Sequence, residues 1–102
     1  MSLPNPLDMF DVKGKVALIT GASGAFGAVA ARVLAGAGCR LVLAAGKASE
    51  LAAIAAECRA GGAEVVEVNT RPESETACTA LVAAAVAAFG SLDILVVASG
   101  MN

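Results

Sequence analysis

Glycine is concentrated in one short segment, Gly21-Ala22-Ser23-Gly24-Ala25-Phe26-Gly27, which directly follows an apolar run. Glycine allows a tight backbone turn and lets a phosphate approach the main chain closely. If a helix begins within this segment, its first N–H groups and its dipole attract negative charge. These residue types at this spacing predict a turn that binds a pyrophosphate. The alternative is a tight strand-to-helix turn without a ligand.

The P-loop is a competing phosphate-binding motif, and the sequence does not fit it. Its G-x-x-x-x-G-K-[ST] pattern needs a lysine directly after the last glycine. Here Ala28 follows Gly27, and the pair Gly14-Lys15 precedes the apolar run. We therefore expect Gly14-Lys15 to form a surface turn.

The other reactive side chains predict neither a catalytic group nor a metal site. The sequence has no His and no Tyr, which excludes a Ser-His-Asp triad and a phenol acting as acid or base. Glu64 and Glu67 should point to opposite faces of one strand, so they cannot act as a carboxylate pair. Cys39, Cys58 and Cys78 lie far apart without metal-ligand spacing, and we expect three buried, reduced thiols.

Four apolar runs alternate with three helical patterns along the chain. The runs predicted to be strands are Lys15–Thr20, Arg40–Ala45, Ala63–Asn69 and Asp93–Ala98. Between them, apolar residues recur at the spacing of one buried helical face. The predicted buried faces comprise Phe26, Val29, Ala30, Val33 and Leu34 in the first helix, Leu51, Ile54, Ala55 and Cys58 in the second, and Cys78, Val82, Val86 and Phe89 in the third.

Regular alternation of strands and helices with short connections predicts a parallel sheet with right-handed crossovers. The predicted fold class is α/β: the N-terminal half of a Rossmann-like three-layer sheet, β-α-β-α-β-α-β, with strand order 3-2-1-4. Acids interspersed in the third strand favour an edge position for it. Ligands bind such sheets where the order reverses, here between strands 1 and 4. Gly21–Gly27 and Ala98–Gly100 would border that crevice.

Composition restricts the remaining function classes. The chain has 102 residues, 58% of them hydrophobic, with a net charge of −2. Its cations form no basic stripe and its only aromatic residues are three Phe, so we do not expect nucleic-acid binding. The longest uncharged stretch, Thr76–Leu92, is too short to span a membrane, and Met1–Asp11 lacks the regions of a signal peptide. We therefore expect a cytoplasmic protein that does not bind membranes.

In three of these segments the sequence resembles the short-chain dehydrogenase/reductase family. The matching stretches are Gly14–Gly27, Arg40–Ala45 and Ala88–Gly100. Thr20 and Gly21 open the family's T-G-x-x-x-G-x-G motif, and Gly27 closes it. The resemblance implies a tail of residues 1–13, followed in residues 14–102 by the N-terminal half of an NAD(P)-binding domain.

The resemblance also implies which residues hold the cofactor. Backbone and side chains from Gly21 through Phe26 would hold the adenosine end and the pyrophosphate of the dinucleotide. The full set of expected site residues is Gly21, Ser23, Gly24, Phe26, Gly27, Lys47, Arg71, Ala98 and Gly100.

The end of the second strand bears on the choice between NAD and NADP. An acid there would bind the ribose 2′-OH of NAD, whereas a cation would pair with the 2′-phosphate of NADP. The sequence has Ala44-Ala45-Gly46-Lys47 and no acid, which favours NADP over NAD. Lys47 is alternatively a solvated loop residue. Arg71 either reaches an adenosine phosphate or solvates its own loop.

Departures from the family pattern keep other hypotheses open. Ala25 replaces the middle glycine, Val97-Ala98-Ser99-Gly100 replaces N-N-A-G, and Arg71 replaces an aspartate. A non-catalytic nucleotide-binding or subunit-association module is therefore the second hypothesis. A different Rossmann-like enzyme, such as a methyltransferase, is disfavoured by the T-G-A-S-G start and by the missing acid after strand 2.

The catalytic Ser, Tyr and Lys of the family lie beyond strand 4, and this sequence stops at Asn102. The resemblance thus implies an N-terminal fragment, a truncated chain or a remnant without catalytic residues. The parent would move a hydride between NAD(P)H and a small carbonyl or alcohol substrate. Because Ile94–Val97 would form an unpaired apolar edge, we expect the isolated chain to be marginally stable and either homo-oligomeric or prone to aggregation.

Overall fold

A computed structural model describes residues 12–70 and 74–98. Strands and helices alternate in the predicted order. The elements are β1 (Val16–Thr20), α1 (Ala25–Gly36), β2 (Arg40–Ala44), α2 (Ala48–Ala60), β3 (Val65–Val68), α3 (Glu75–Phe89) and β4 (Ile94–Val97).

The four strands form one parallel sheet in the order β3-β2-β1-β4, which confirms the predicted topology. Thr20, the last residue of β1, is in register with Ala44 on one side and with Val97 on the other. The carboxyl ends of β2, β1 and β4 therefore lie side by side at one edge of the sheet. This edge carries the glycine-rich turn that follows β1.

Helices cover both faces of the central strands. Ala17 and Ile19 of β1 pack into the cluster that includes the buried residues of α1 and α2, whereas Val16 and Leu18 pack with Leu81 of α3. Every residue of β1 is consequently buried. Burial on both faces explains why β1 has a continuous apolar run instead of alternating polarity.

The predicted buried face of α1 is wrong for three of its five residues, while Ala30 and Leu34 are partly buried against the core. Phe26, Val29 and Val33 are exposed, while the small residues Gly27, Ala28 and Ala31 face the sheet. The cause is the close approach of the helix to the turn, because a Cβ atom on Gly27 would lie 2.1 Å from the carbonyl oxygen of Gly21. Where the start of the helix meets the turn, the facing residue must therefore lack a side chain.

The predicted buried face of α3 is largely wrong as well. Its buried residues are Leu81 and Ala85, which pack against β1 and β2. The predicted Val82 and Val86 follow these by one residue, about 100° further around the helix, and are exposed. Phe89 is half-buried.

The predicted core of α2 is confirmed, and the prediction of buried thiols is confirmed for two of the three cysteines. All four predicted core residues of α2 are buried, and Cys39 is buried as expected. Cys78 lies on the outside of α3 and is exposed, so the prediction of three buried thiols is wrong for this one.

Within residues 12–70 and 74–98, no helix is long and apolar enough to cross a membrane.

Candidate functional site

The turn after β1 is built on two glycines with different roles. Gly21 has φ +65°, a left-handed conformation that favours glycine, and its carbonyl accepts a hydrogen bond from the N–H of Gly24 at 3.0 Å. Gly27 is required by space, because any side chain there would collide with the Gly21 carbonyl. Together they bring the start of α1 directly against the end of β1.

The N-terminus of α1 is open. Gly24 is its N-cap residue and provides no side-chain hydrogen bond to the helix. Across the described residues, no hydrogen bond from the backbone N–H of Ala25 or Phe26 is found. The start of α3 is different, because the hydroxyl of its N-cap Ser74 accepts a hydrogen bond from the N–H of Ala77 at 3.1 Å. The start of α1 therefore leaves its first N–H groups available to an anion, and so does the start of α2, whose N-cap Lys47 also provides no side-chain hydrogen bond.

β4 closes the other side of this edge. The N–H of Ala98 donates to the carbonyl of Thr20 at 3.2 Å, and Ala98 is buried. The Thr20 hydroxyl donates to the carbonyl of Val96 at 3.5 Å. Gly21, directly after β1, and Ala98, directly after β4, therefore lie close together at the carboxyl edge of the sheet.

A short series of hydrogen bonds extends across the same edge towards β3. The N–H of Ala22 in the turn donates to the carbonyl of Ala44 at 3.1 Å, and the N–H of Ala45 donates to the carbonyl of Val68 at 3.3 Å. The side-chain amide of Asn69 then donates to the carbonyl of Ala45 at 2.9 Å. Asn69 was not among the predicted site residues, since its partner depends on the register of β3 against β2.

The structure places most of the predicted site residues at this edge. Gly21, Ser23, Gly24 and Gly27 form the turn, and Phe26 projects from the first turn of α1 with 59% of its surface exposed. Lys47 follows β2 as the N-cap residue of α2 and is exposed. Ala98 lies beside the turn. Arg71 and Gly100 lie outside the described residues.

Asp93 ties β4 to β1 through two hydrogen bonds. Its carboxylate accepts a hydrogen bond from the N–H of Val16 at 2.9 Å, and its own N–H donates to the carbonyl of Val16 at 2.9 Å. Ser91 donates to the same carboxylate at 3.4 Å. This pair of bonds ties the start of β4 to the start of β1, at the end of the sheet opposite the turn.

Two cavities lie away from the glycine-rich turn. One of about 280 Å³ is lined by residues of α1 and α2 that include Arg32 and Glu57, which form an exposed ion pair. The other, about 370 Å³, lies at the amino ends of the strands beside Lys13 and Arg40. The open N–H groups at the start of α1 lie outside the linings of both cavities, and on their account we place the candidate site at the turn.

The buried thiols near these cavities are unsuited to nucleophilic chemistry. Burial raises the pKa of Cys39 above its usual value, and nearby Asp93 adds to the shift. Burial likewise raises the pKa of Cys58, with Glu57 adding and Arg32 opposing. Both sulfurs therefore stay protonated at neutral pH, and a protonated thiol is a poor nucleophile.

The sequence profile of the short chain dehydrogenase family matches residues 15–102, so the chain belongs to this family. An oxidoreductase from Mycobacterium tuberculosis, described as uncharacterized, is 45% identical over 96 residues, which are 94% of this chain and 35% of that protein. The glycine betaine reductase of Emericella nidulans is 34% identical over 97 residues, 95% of this chain and 8% of that protein.

Solved structures of the family superpose on the fold. A short chain dehydrogenase/reductase from Burkholderia phymatum in complex with NAD is 42% identical with a TM-score of 0.80, covering 85% of this chain and 31% of that one. A metagenomic short-chain oxidoreductase in complex with NADP is 36% identical with a TM-score of 0.75, covering 81% and 38%. This chain therefore spans about a third of the length of the Mycobacterium tuberculosis relative and of these two structures.

Proposed function

We propose that this chain is the cofactor-binding part of an NAD(P)-dependent oxidoreductase. The observation that carries the proposal is the open start of α1. Its Ala25 and Phe26 N–H groups have no acceptor among the described residues, and the turn before them begins at Thr20, in register with Ala44 and Val97. Gly21 and Gly24 place no side chain there, so the residues present suit a pyrophosphate.

The dinucleotide would lie along the carboxyl edge of the sheet. Its pyrophosphate would contact the turn from Gly21 to Gly27, and its adenosine end would extend past the exit of β2 towards Lys47. Arg71 and Gly100 belong to the proposed site on the basis of the family resemblance. When bound, the nicotinamide ring supplies or accepts the hydride.

Within this proposal, the cofactor is NADP in preference to NAD. The segment leaving β2 has no carboxylate to accept hydrogen bonds from a ribose 2′-OH, whereas Lys47 is an exposed cation at the start of α2. A 2′-phosphate is the group that such a cation can hold.

The reaction of the whole protein is part of the proposal too. We infer hydride transfer between NAD(P)H and a carbonyl or alcohol group, supported by the family and by the oxidoreductase relatives. This sequence has neither Tyr nor His, so we assign no catalytic residue to it. The cytoplasmic location expected from the sequence remains a prediction.

A second candidate function, association with another protein surface, is favoured by one specific observation. Phe26, Val29 and Val33 on α1, and Leu95 and Val97 on β4, are large apolar side chains that stay exposed. Natural coding sequence beyond residue 102 would separate the two candidates, because a Ser followed by Y-x-x-x-K there would support the enzyme.

The proposed binding site is tested by placing an acid on the cap of α1. In Gly24→Asp, the new carboxylate would accept hydrogen bonds from the open N–H groups and repel a pyrophosphate. The backbone at Gly24 (φ −76°, ψ 167°) suits any residue, and its Cβ would only touch the Gly21 carbonyl at 3.4 Å. We expect at least about tenfold weaker binding of NAD(P)+ by calorimetry, together with a few tenths of a kcal/mol of added helix stability.

Gly24→Asn is the matched control, because it caps the helix without adding charge. It should weaken binding less than Gly24→Asp. If the aspartate variant bound both nucleotides as tightly as the wild type, the start of α1 would not be the pyrophosphate site.

A further inference from the structure

Ala45, the first residue after β2, is held at both of its main-chain groups. Its N–H donates to the carbonyl of Val68 at 3.3 Å, and its carbonyl accepts from the side-chain amide of Asn69 at 2.9 Å. β3 ends at Val68, where the N–H of Thr70 turns back to the Val68 carbonyl at 2.8 Å. The Asn69 side chain thus continues the pairing of β2 with β3 for one step after the backbone of β3 has turned away.

This side-chain hydrogen bond lies two residues before Lys47. On its other side Lys47 is anchored by α2, since its carbonyl accepts a hydrogen bond from the N–H of Leu51 at 2.9 Å. Gly46, the one residue between the two anchors, is exposed. The position of the Lys47 backbone therefore depends on the Asn69 bond at one end and on the first turn of α2 at the other.

We propose that Asn69 is a positioning residue for the ribose 2′-phosphate of NADP, acting through Lys47. By fixing the carbonyl of Ala45, it sets the direction in which the chain leaves β2 and thereby the reach of the Lys47 ammonium group. The proposal rests on the proposed function and deepens it, since it names what sets the preference between the two cofactors.

The proposal predicts a selective effect. NAD has no 2′-phosphate, so a displaced Lys47 costs it little, whereas NADP loses a charge-assisted contact. A purely structural role of Asn69 would instead weaken both cofactors alike. The ratio of the two dissociation constants therefore separates positioning from general stability.

The test uses Asn69→Leu and Asn69→Ala, which remove the amide donor without adding charge. Leucine keeps approximately the size of asparagine, and alanine adds no bulk should leucine impair folding. Titration of the full chain with NADP+ and NAD+ by calorimetry should show NADP+ affinity falling about three- to tenfold, the scale of one ordinary hydrogen bond. NAD+ affinity should stay within about twofold, and circular dichroism melts check that both variants fold.

A double-mutant cycle with Lys47→Ala completes the test. Lys47→Ala alone should lower the preference for NADP+, and adding Asn69→Leu or Asn69→Ala to it should cause no further change in the ratio. The proposal is overturned if a folded Asn69 variant keeps the wild-type ratio of NADP+ to NAD+ affinity. It is also overturned if the same Asn69 substitution still lowers that ratio in the Lys47→Ala background. If the wild-type chain binds NADP+ and NAD+ equally well, the proposal is overturned but nucleotide binding stands. If the wild-type chain binds neither nucleotide, the proposed function is overturned as well.

Discussion

The two edge strands of the sheet, β3 and β4, differ in their charged contacts and in their exposed apolar side chains. At the β3 edge, Arg59 of α2 forms an ion pair with Glu67 at 2.7 Å and donates to the carbonyl of Val65 at 2.8 Å. At the β4 edge, Ile94–Val97 carries no charge, and Leu95 and Val97 are 55% and 58% exposed. Charges and polar ties discourage pairing with another chain, whereas an apolar edge invites it.

The difference follows from which helices cover which strands. Ile94 and Val96 pack against the α1 and α2 layer, so alternation turns Leu95 and Val97 to the other face. On that face α3 packs against β1 and β2. Among the described residues, β3 is therefore tied to α2 by polar contacts, while β4 keeps two large apolar side chains exposed.

The largest contrast should appear in thiol reactivity. Cys58 lies on the buried face of α2, Cys39 is buried before β2, and Cys78 is exposed on α3. With a thiol-specific reagent such as DTNB at pH 8, we expect one thiol to react at once. The other two should react at least about a hundredfold more slowly, because they must wait for the structure to open.

The pKa shifts add a pH dependence to this contrast. Burial raises the pKa of Cys39 and Cys58 above the ordinary 9.0, so the folded state holds these protons more tightly than the unfolded state does. Both thiols therefore contribute stability that is fully present below about pH 9 and is lost as the pH rises through the raised pKa values.

The control for the labelling experiment is Cys78→Ser, which should abolish the fast phase. A fast thiol surviving in that variant would contradict the assigned burial.

The second contrast concerns self-association. Replacing Leu95 and Val97 with lysine should weaken association of the chain on the order of a hundredfold. Each apolar side chain buried in an interface contributes about 1.5–3 kcal/mol, and lysines on facing edges repel. Sedimentation equilibrium over a range of concentrations measures the change.

The matched control adds the same charge to α2, the helix that packs on β3. Ala52 and Ala53 lie on the exposed face of α2, and replacing both with lysine should leave the association constant unchanged. A wild-type chain that is monomeric at every concentration would contradict the expected role of the β4 edge.

Strands and topology could be predicted from the sequence because β1 and β2 are buried on both faces and have continuous apolar runs. The edge position of β3 followed from its acids. Helix faces were predictable only for α2, where charged residues mark the solvent side. α1 and α3 are apolar nearly all round, and the spacing of the bulky residues then indicated the wrong side.

The candidate site was predictable where the chain itself requires glycine. Gly21 and Gly27 could be recognised because one needs a left-handed backbone and the other tolerates no Cβ. Asn69 could not, since its bond to the Ala45 carbonyl exists only once β3 is paired with β2 in the observed register. Contacts between sequence-distant strand ends are set by that pairing and leave no local pattern.

The smallest contrast compares the polar ties at the two edges. Asp93→Ala would leave the N–H of Val16 without its carboxylate partner inside a fully buried strand. We expect a loss of about 1–3 kcal/mol in the free energy of unfolding, the usual cost of an unsatisfied buried donor. Glu67→Gln, which removes the exposed ion pair at the β3 edge, should cost at most about 1 kcal/mol.

Urea denaturation of the variants measures both losses, and salt distinguishes their origins. The Glu67→Gln effect should shrink further at high ionic strength, because salt screens exposed pairs, while the Asp93→Ala effect should persist. Asp93→Asn keeps an acceptor oxygen for the Val16 N–H and should recover part of the lost stability. If Glu67→Gln were less stable than Asp93→Ala, the Asp93 carboxylate would not be what holds β4 in the sheet. Pairing of β4 with β1 would then hold it alone.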